Sequence, residues 1–447
     1  MRKGVWWGAL GLGLLIGCSP TPAPPTQPAP VTIAALRPTL TPTVLPTLTS
    51  TPSPTPLPTV ALTPSAACGQ RLPVQLPSAE GTPTPPIQLT VLDNIMPVAA
   101  LPAVQRLFDA PDSVAVAAYA VGREAEGVYW RADEPMPLAS VVKLVHLIAY
   151  AQAVDAGAVQ AGQSVALDDL ARFYLPGSDL NAHAQALAEL AASQQLVDRA
   201  LPLSAVVWMM VRYSDNAATD YLQTLLGQAV IEQTARDLGL EPHSAPCPFI
   251  GRFLLMSNHT RRTDDSSAVA ALISDPARYA LEVAHLTDLY SQDAAFRAAE
   301  QAYWGVRRRP SVAVQSQFTA ALDTRSTARA YADLLARTVN GQVGTPRVNN
   351  LVRYYLEWPL QAFPTNRERY LSIGYKNGAL PGVLTTVYYA WPRDSAEPLV
   401  VALFYRDLPL STYQQWRRTL PDDALAHWLL SDPQAIPRLR QWLAPRP

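Results

Sequence analysis

Cysteine, histidine and net charge are all scarce in this chain of 447 residues. It has three cysteines and six histidines, with no Cys-x-x-Cys, no His-Glu-x-x-His and no close His/Cys cluster, so the usual patterns of a metal site are absent. His146 lies within an apolar helical pattern, where a core histidine is the better interpretation. A formal net charge of −1 gives no reason to expect nucleic acid or an acidic membrane surface as a partner. We therefore expect no metal, no cofactor and no nucleic-acid partner.

The first 18 residues have the pattern of a secretory leader. After a basic start, an apolar run covers Val5–Ile16, which is too short to span a bilayer comfortably. The end of this run, Leu-Ile-Gly-Cys18, resembles the lipobox of bacterial lipoproteins, in which the cysteine becomes the lipid-modified first residue. The resemblance implies lipidation of Cys18 and an exported protein, anchored by that lipid on the extracytoplasmic face of a membrane. A plain signal peptide with an incidental cysteine is the alternative.

Proline, in contrast, is abundant, and the 43 prolines are densest in the first hundred residues. From Ser19 to about Ala67 the chain is mainly Pro, Thr, Ala, Ser and Leu, with Arg37 as its only charged residue. Proline fixes φ and removes a backbone donor, so neither helix nor sheet can propagate. We predict an extended linker over 19–90, whose first 50 or so residues could reach roughly 150 Å. It would hold a globular domain, residues 91–447, away from a membrane.

The globular part predicts an α+β fold. Two strand patterns open it and three close it, and almost everything between them has helical periodicity. The predicted strands are 113–121, 127–132, 369–376, 383–390 and 399–405, and the predicted helices include 138–155, 203–213, 217–227, 230–238, 325–338 and 412–430. Strands from both ends of a chain, with a helical block inserted between them, indicate an antiparallel sheet of about five strands packed against helices.

Ser140 and Lys143 form the first pair of residues that could carry chemistry. They lie three residues apart at the start of a helix that is apolar on nearly every face, so both side chains should lie on the same face, one turn apart. Desolvation should lower the pKa of Lys143 and make a neutral amine available to take the serine proton. A lysine that only extends its ammonium group to the surface is the alternative.

Two further short motifs place polar groups at the ends of predicted elements. Ser214-Asp215-Asn216 lies at a junction of two helices, where a hydroxyl and an amide could face the nucleophile or simply cap a helix. Lys376-Asn377-Gly378, followed by Ala379, comes at a strand end. There a lysine beside an approachable glycine backbone would suit an anionic substrate, although Asn-Gly is also a strong hairpin signal. Each motif alone leaves both interpretations open.

In this order, Ser-x-x-Lys, Ser-Asp-Asn and Lys-x-Gly resemble the signature set of class A β-lactamases and penicillin-binding proteins. The resemblance covers most of residues 110–430 and extends beyond the triplets to 132–140, 214–220 and 326–329. It implies an acyl-serine hydrolase that acts on β-lactams or on D-Ala-D-Ala-type peptides of the cell envelope, with D,D-peptidase and esterase activities also open. The alternative is a non-catalytic or weakly active surface-binding lipoprotein that keeps the fold.

The resemblance also implies a role for each residue of the motifs. Ser140 would attack a carbonyl carbon, and Lys143 would be the general base or part of its proton network. Ser214 would pass a proton to the leaving nitrogen, and Lys376 would attract the substrate carboxylate. The backbone N–H groups of Ser140 and Ala379 would form the oxyanion hole. The residues implied in substrate binding are Asn216, Asn377, Gly378 and Ala379.

Two features depart from the family pattern. Asn377 stands where the family has a threonine or serine whose hydroxyl contacts the substrate carboxylate. No Glu-x-x-Leu-Asn pattern, which supplies the water-activating glutamate of class A enzymes, occurs in residues 240–265. Glu241 comes too early for it, and Asp264 and Asp265 are the other acids that could take the role. The stretch between the second and third motifs is expanded, with extra helix expected around 266–305. The sequence therefore predicts acylation followed by slow deacylation.

Cys68 and Cys247 remain as a possible pair once Cys18 is processed. Export permits oxidation, and an even number of cysteines is left, so we predict a disulfide between them. The bond would fasten the end of the linker beside the stretch that lacks the glutamate.

Overall fold

The computed structural model describes Cys68 and residues 95–260, 266–306 and 310–444. The predicted leader with Cys18 lies outside the described residues, as do Asp264, Asp265 and, apart from Cys68, the predicted linker. Within the described part, helices cover both faces of one main antiparallel sheet.

Five antiparallel strands form the main sheet. They are β1 Val114–Ala120, β2 Val128–Trp130, β7 Tyr370–Leu380, β8 Val383–Pro392 and β9 Leu399–Tyr405. Their order is β2-β1-β9-β8-β7, which makes β7 an edge strand. Two strands come from the start of the domain and three from its end, so the predicted α+β arrangement is confirmed. Two short ribbons pair β3 Met136–Pro137 with β6 Arg325–Ser326, and β4 Ser164–Ala166 with β5 Ala200–Pro202.

The helices account for most of the remaining described chain. They are α1 Leu101–Asp109, α2 Lys143–Asp155, α3 Leu167–Ala171, α4 Ala182–Ala192, α5 Leu203–Arg212, α6 Asn216–Leu226, α7 Gln228–Asp237, α8 Phe249–Met256, α9 Ser266–Ser274, α10 Pro276–Gln292, α11 Ala294–Val306, α12 Val312–Leu322, α13 Ala328–Val339, α14 Pro346–Leu356, α15 Trp358–Ala362, α16 Pro364–Arg369, α17 Leu410–Thr419, α18 Pro421–Ser431 and α19 Ala435–Leu443. No helix among the described residues is both long and apolar enough to cross a bilayer.

Both faces of the sheet are covered, which explains why β1 is buried along almost its whole length. Side chains alternate between the two faces of a strand. Ala115 and Ala117 belong to the core that the sheet shares with α2, α5 and α13. Val114 and Val116 belong to a second core, shared with α1, α18 and α19. The sheet therefore separates two hydrophobic cores.

Three predicted boundaries are wrong, each for a local reason. Helix α2 begins at Lys143, because a short 3-10 turn, Ala139–Val142, precedes it. The predicted helix 412–430 is two helices, since Pro421 has no N–H to continue α17. Strand β7 runs on to Leu380, and its turn to β8 falls at residues 381–382. The Lys-Asn-Gly motif thus lies inside the strand, and the hairpin interpretation of its Asn-Gly pair does not hold.

Helices α8 to α12 form a region with a core of its own. Leu254, Tyr279, Val283 and Phe318 are among its buried residues. The extra helix expected around 266–305 is confirmed as three consecutive helices, α9, α10 and α11. This region is the expansion between the second and third motifs.

A disulfide joins Cys68 to Cys247, with their Cα atoms 5.0 Å apart, beside the core of α8–α12. The bond spans 179 residues, which the chain-entropy model values at about 5 kcal/mol of stability. We expect the denatured, unreduced protein to show no free thiol other than that of Cys18, and reduction to lower its thermal unfolding midpoint. The Cys68→Ser/Cys247→Ser double variant, which should not respond to reductant, is the control. Two additional reactive thiols in the unreduced wild type would contradict the bond.

Candidate active site

Ser140 lies in the 3-10 turn Ala139–Val142 that leads into α2. Ala139, directly before it, has a φ of 46°, a left-handed conformation that persists in a non-glycine residue only when its surroundings enforce it. Its N–H donates to Asp323 Oδ2 at 2.7 Å, and Asp323 pairs with Arg252 at 2.5 Å. A buried ion pair thus fixes the backbone that presents the serine, while Ser140 itself is only partly buried.

Lys143, the first residue of α2, is 1% exposed. Its Nζ lies 2.5 Å from the Ser214 carbonyl, 2.7 Å from Asn216 Oδ1 and 3.3 Å from Ser214 Oγ. Burial lowers the pKa of Lys143 to about 7, even though the charges of Asp215 and Asp220 act in the opposite direction. A considerable fraction of the amine is therefore unprotonated near neutral pH, and a neutral amine can accept a proton.

An aromatic ring covers the other side of Lys143. The Nζ atom lies 4.7 Å from the centroid of the Phe249 ring. Asp220 fixes this ring in place, because its two carboxylate oxygens accept the N–H groups of Phe249 and Ile250 at 2.8 and 2.7 Å. The stretch that would carry a water-activating glutamate therefore presents an apolar ring to the lysine.

Ser214 lies in the turn between α5 and α6, with a φ of 60°. Its Oγ is 2.9 Å from Lys376 Nζ and 3.3 Å from Lys143 Nζ. The next residue, Asp215, caps α6 by accepting the Ala218 N–H at 3.0 Å. The hydroxyl thus lies between two lysines that come from different parts of the chain, one from a helix and one from the edge strand.

Lys376 is 2% exposed and projects from β7 towards the helical block. Besides Ser214, its Nζ contacts its neighbour's carbonyl, Asn377 O, at 2.6 Å. Burial, and then the charge of Lys143, lower the pKa of Lys376 well below its ordinary value. Because each ammonium group disfavours the other, the pair favours states in which one amine is neutral.

Gly378 and its neighbours continue the same strand past the nucleophile. A Cβ atom on Gly378 would lie 2.6 Å from Ser140 N, so this position brings the strand backbone against the serine. Asn377 falls on the opposite face by alternation, opposite Thr386, whose hydroxyl donates to Asp422. Ala379 is exposed. The structure therefore brings most of the predicted residues together, but Asn377 lies on the opposite face of the strand from Lys376.

Several residues of this site carry no signal in the sequence. Asp323 accepts the N–H of Ala139, next to the nucleophile, while Phe249 contacts Lys143 and His183 contacts Asp215. Each lies more than 30 positions from its partner, so no local spacing reveals it. Asp220 is different, since it lies four residues after Asn216 on one helix, one turn further along the same face. Glu241, a candidate water-activating acid, is exposed. Among the described residues, no group of three or more His, Cys, Asp or Glu side chains could hold a metal ion.

Comparison with known proteins gives a family match and several similar structures. The model of the family described as "Beta-lactamase enzyme family" matches residues 102–428. A β-lactamase from Sphaerobacter thermophilus is 20% identical, over 75% of this chain and 99% of that one, with a TM-score of 0.47. A β-lactamase from Xanthomonas campestris pv. campestris is 15% identical, over 76% of this chain and 98% of that one, with a TM-score of 0.42. The protein PBP-A is 16% identical, over 76% of this chain and 98% of that one, with a TM-score of 0.41. No curated protein matches the sequence.

Proposed function

The chain belongs to the beta-lactamase enzyme family, and on that premise we propose that it is an acyl-serine hydrolase with Ser140 as its nucleophile. The observation that supports this most directly is the pair of lysines, Lys143 and Lys376, whose amines both lie within hydrogen-bonding distance of Ser214 Oγ. Such a buried array can accept, relay and donate protons beside a serine, which is what acyl transfer requires.

In the proposed acylation step, Ser140 Oγ attacks a carbonyl carbon and its proton passes to the neutral amine of Lys143. The negative charge that develops on the carbonyl oxygen is bound by the N–H groups of Ser140 and Ala379. When the tetrahedral intermediate collapses, the carbon–nitrogen bond breaks, and Ser214 delivers a proton to the leaving nitrogen. Lys143 supplies that proton through its contact with Ser214, so the proton count balances.

The proposed substrates are β-lactams or D-Ala-D-Ala-type peptides of the cell envelope. Lys376 provides the positive charge that a substrate carboxylate would meet, and the Asn216 amide can bind a substrate amide. Esters are a further candidate substrate class, because Asn377 brings no hydroxyl to the position that would bind a carboxylate. Asn377 lies opposite Thr386, which is hydrogen-bonded to Asp422. Carboxylate recognition therefore depends mainly on Lys376.

The test is incubation of the full chain with a fluorescent penicillin, followed by a denaturing gel and intact-protein mass spectrometry. A covalent adduct of one penicillin per chain supports the proposal. Absence of any adduct at millimolar probe would count against it and favour a surface-binding lipoprotein that keeps the fold without turnover. The lifetime of the label then separates fast from slow hydrolysis.

The close approach of Gly378 to Ser140 can be tested by substituting the glycine. A Cβ atom on Gly378 would lie 2.6 Å from Ser140 N and 2.5 Å from Thr385 Oγ1, so Gly378→Ala should move the strand, and with it the Ala379 N–H, away from the Ser140 N–H. We expect the labelling rate to fall about 10²-fold or more, the scale of losing one such donor. Gly162→Ala, whose Cβ would meet nothing within 4 Å, is the matched control. Similar labelling rates in the two variants would contradict this role.

We also propose export and a lipid anchor at Cys18. The basic and apolar leader supports export, and the Cys68–Cys247 disulfide fits an oxidising compartment. Wild-type protein is expected to sediment with membranes and to carry lipid at its first mature residue, whereas Cys18→Ser should be found in the soluble fraction. A single unlipidated soluble form in both cases would refute the anchor.

A further inference from the structure

A histidine that belongs to none of the three motifs lies against the Ser-Asp-Asn turn. His183, at the start of α4, has its Nδ1 2.7 Å from Asp215 Oδ2. Both residues are buried, at 7% and 0% exposed. The other oxygen of Asp215 accepts the Ala218 N–H. Asp215 stands between Ser214 and Asn216, the two residues whose oxygens contact Lys143, so His183 reaches the site through one carboxylate.

His183 and the residues that precede α4 are closely constrained. Tyr174 stacks on the imidazole with ring centroids 4.2 Å apart, and the Asp179 carboxylate accepts the His183 N–H at 2.8 Å. Leu180 and Asn181 have φ values of 58° and 72°, which cost energy in residues other than glycine. Strain of this kind persists where the surroundings require one conformation, and here that conformation delivers the imidazole to Asp215.

We propose that His183 is a positioning residue for acylation: its Nδ1–H fixes the Asp215 carboxylate, and Asp215 fixes the Ser214–Asn216 turn that holds Lys143. Without this donor, one oxygen of a fully buried carboxylate would lose its partner, which destabilises the arrangement around it. The kinetic readout of this inference rests on the proposed function. The His183–Asp215 contact can also be tested without it.

Because His183 carries a charge when it is protonated, its role should appear in the pH dependence of the acylation rate. Among the described residues, three groups face the imidazole: Asp215 from the cap of α6, Asp179 from the segment before α4, and the stacked Tyr174. Burial alone would lower the pKa of His183, but the hydrogen bond and charge of Asp215, together with Asp179, raise it. The charge of Asp215 raises the pKa of Lys143, and a positive charge on His183 beside Asp215 would act in the opposite direction. A neutral hydrogen-bond donor at position 183 should therefore preserve the geometry. It should also shift to higher pH the range in which the acylation rate falls on acidification.

The experiment compares acylation rate constants of the full chain with a fluorescent penicillin across four variants: His183→Ala, His183→Asn, His183→Gln and the control His285→Ala, which alters an exposed histidine on α10. An asparagine amide can donate from about the position of Nδ1, whereas a glutamine amide donates from that of Nε2. We expect about tenfold or greater losses for the Ala and Gln variants. The Asn variant should approach the wild-type rate, but its rate should begin to fall at a higher pH on acidification. The control should match the wild type.

Wild-type rates in His183→Ala would overturn the inference. So would losses in all three variants that simply follow their thermal unfolding midpoints, with an unchanged pH profile. If the wild type takes no label, the proposed function fails, and NMR titration of the histidine ring protons tests the pair instead. Asp215→Asn should then lower the pKa of His183, and an unchanged His183 pKa would overturn the inference on its own.

Discussion

Ser140→Ala is expected to abolish covalent labelling by a fluorescent penicillin. The serine stands in a turn whose backbone is fixed by Asp323, and its side chain is only partly buried. Removing one oxygen there should leave the thermal unfolding midpoint close to that of the wild type. Intact-protein mass spectrometry measures the adduct, and melting curves establish that the variant is folded. An adduct of equal yield in Ser140→Ala would mean that the nucleophile lies elsewhere and that the mechanism is wrong.

Lys143→Ala is the companion variant, because it removes the base and leaves the nucleophile. Its labelling should be slower by about 10²–10⁴-fold, the usual contribution of a positioned general base. The pKa of Lys143 is lowered to about 7, and only the neutral amine accepts a proton. The wild-type rate should therefore fall as pH drops below about 7 and level off above it, whereas the residual rate of Lys143→Ala should lack this step. A wild-type rate independent of pH between 5 and 8 would exclude Lys143 as the base.

The sequence predicts the local part of this site well, because local spacing has a direct geometric meaning. Ser140 and Lys143 lie three residues apart, Ser140 in the 3-10 turn Ala139–Val142 and Lys143 at the start of α2. The strand that carries Lys376 is visible as an alternating apolar pattern near the end of the domain. The sequence does not reveal the end of that strand, since an Asn-Gly pair favours a turn, yet β7 continues past it to Leu380 and brings Gly378 against Ser140.

The remainder of the site depends on contacts between distant segments, which no spacing encodes. Phe249 reaches Lys143 because Asp220 holds the start of α8. His183 reaches Asp215 from the start of α4, directly after two residues with positive φ, Leu180 and Asn181. The break between α17 and α18 is a different case. Pro421 is a helix-breaking signal in the sequence, but the apolar pattern continues across 412–430 and favours a single helix.

Three contacts hold the segment that faces Lys143. The disulfide holds Cys247, and Asp220 holds the two backbone N–H groups that follow. Ser244 exchanges hydrogen bonds with Arg325, whose N–H donates to Ser244 Oγ at 2.7 Å. Because Arg325 also pairs with Pro137, three residues before Ser140, in the β3–β6 ribbon, the covering segment and the nucleophile turn are tied to the same element. The ring of Phe249 is therefore a fixed part of the site.

The acyl-enzyme is expected to persist, because hydrolysis needs a water with a base beside it, and the described residues place no free carboxylate beside Lys143 to serve as one. Lys143 meets the apolar ring of Phe249 at 4.7 Å. The nearby acid Asp220 has both oxygens occupied by backbone N–H groups, and Glu241 is exposed. Losing a positioned base removes on the order of 10²–10⁴ from a hydrolysis rate. We therefore expect a burst of one equivalent of chromogenic cephalosporin, followed by release that is slower, by about that factor, than release assisted by such a base.

Stopped-flow absorbance measures the burst, and mass spectrometry at intervals measures the decay of the adduct. Rapid multiple turnover without a burst would refute the prediction and require a base that the three motifs do not supply. The acids available for it in residues 240–265 are Glu241, Asp264 and Asp265, so their amide variants, made singly, would identify the replacement. Asp237→Asn, an exposed acid at the end of α7, is the control. The acid whose removal slows deacylation while leaving the burst intact would be the base, since the burst reports acylation alone and needs only Ser140, Lys143 and the oxyanion donors.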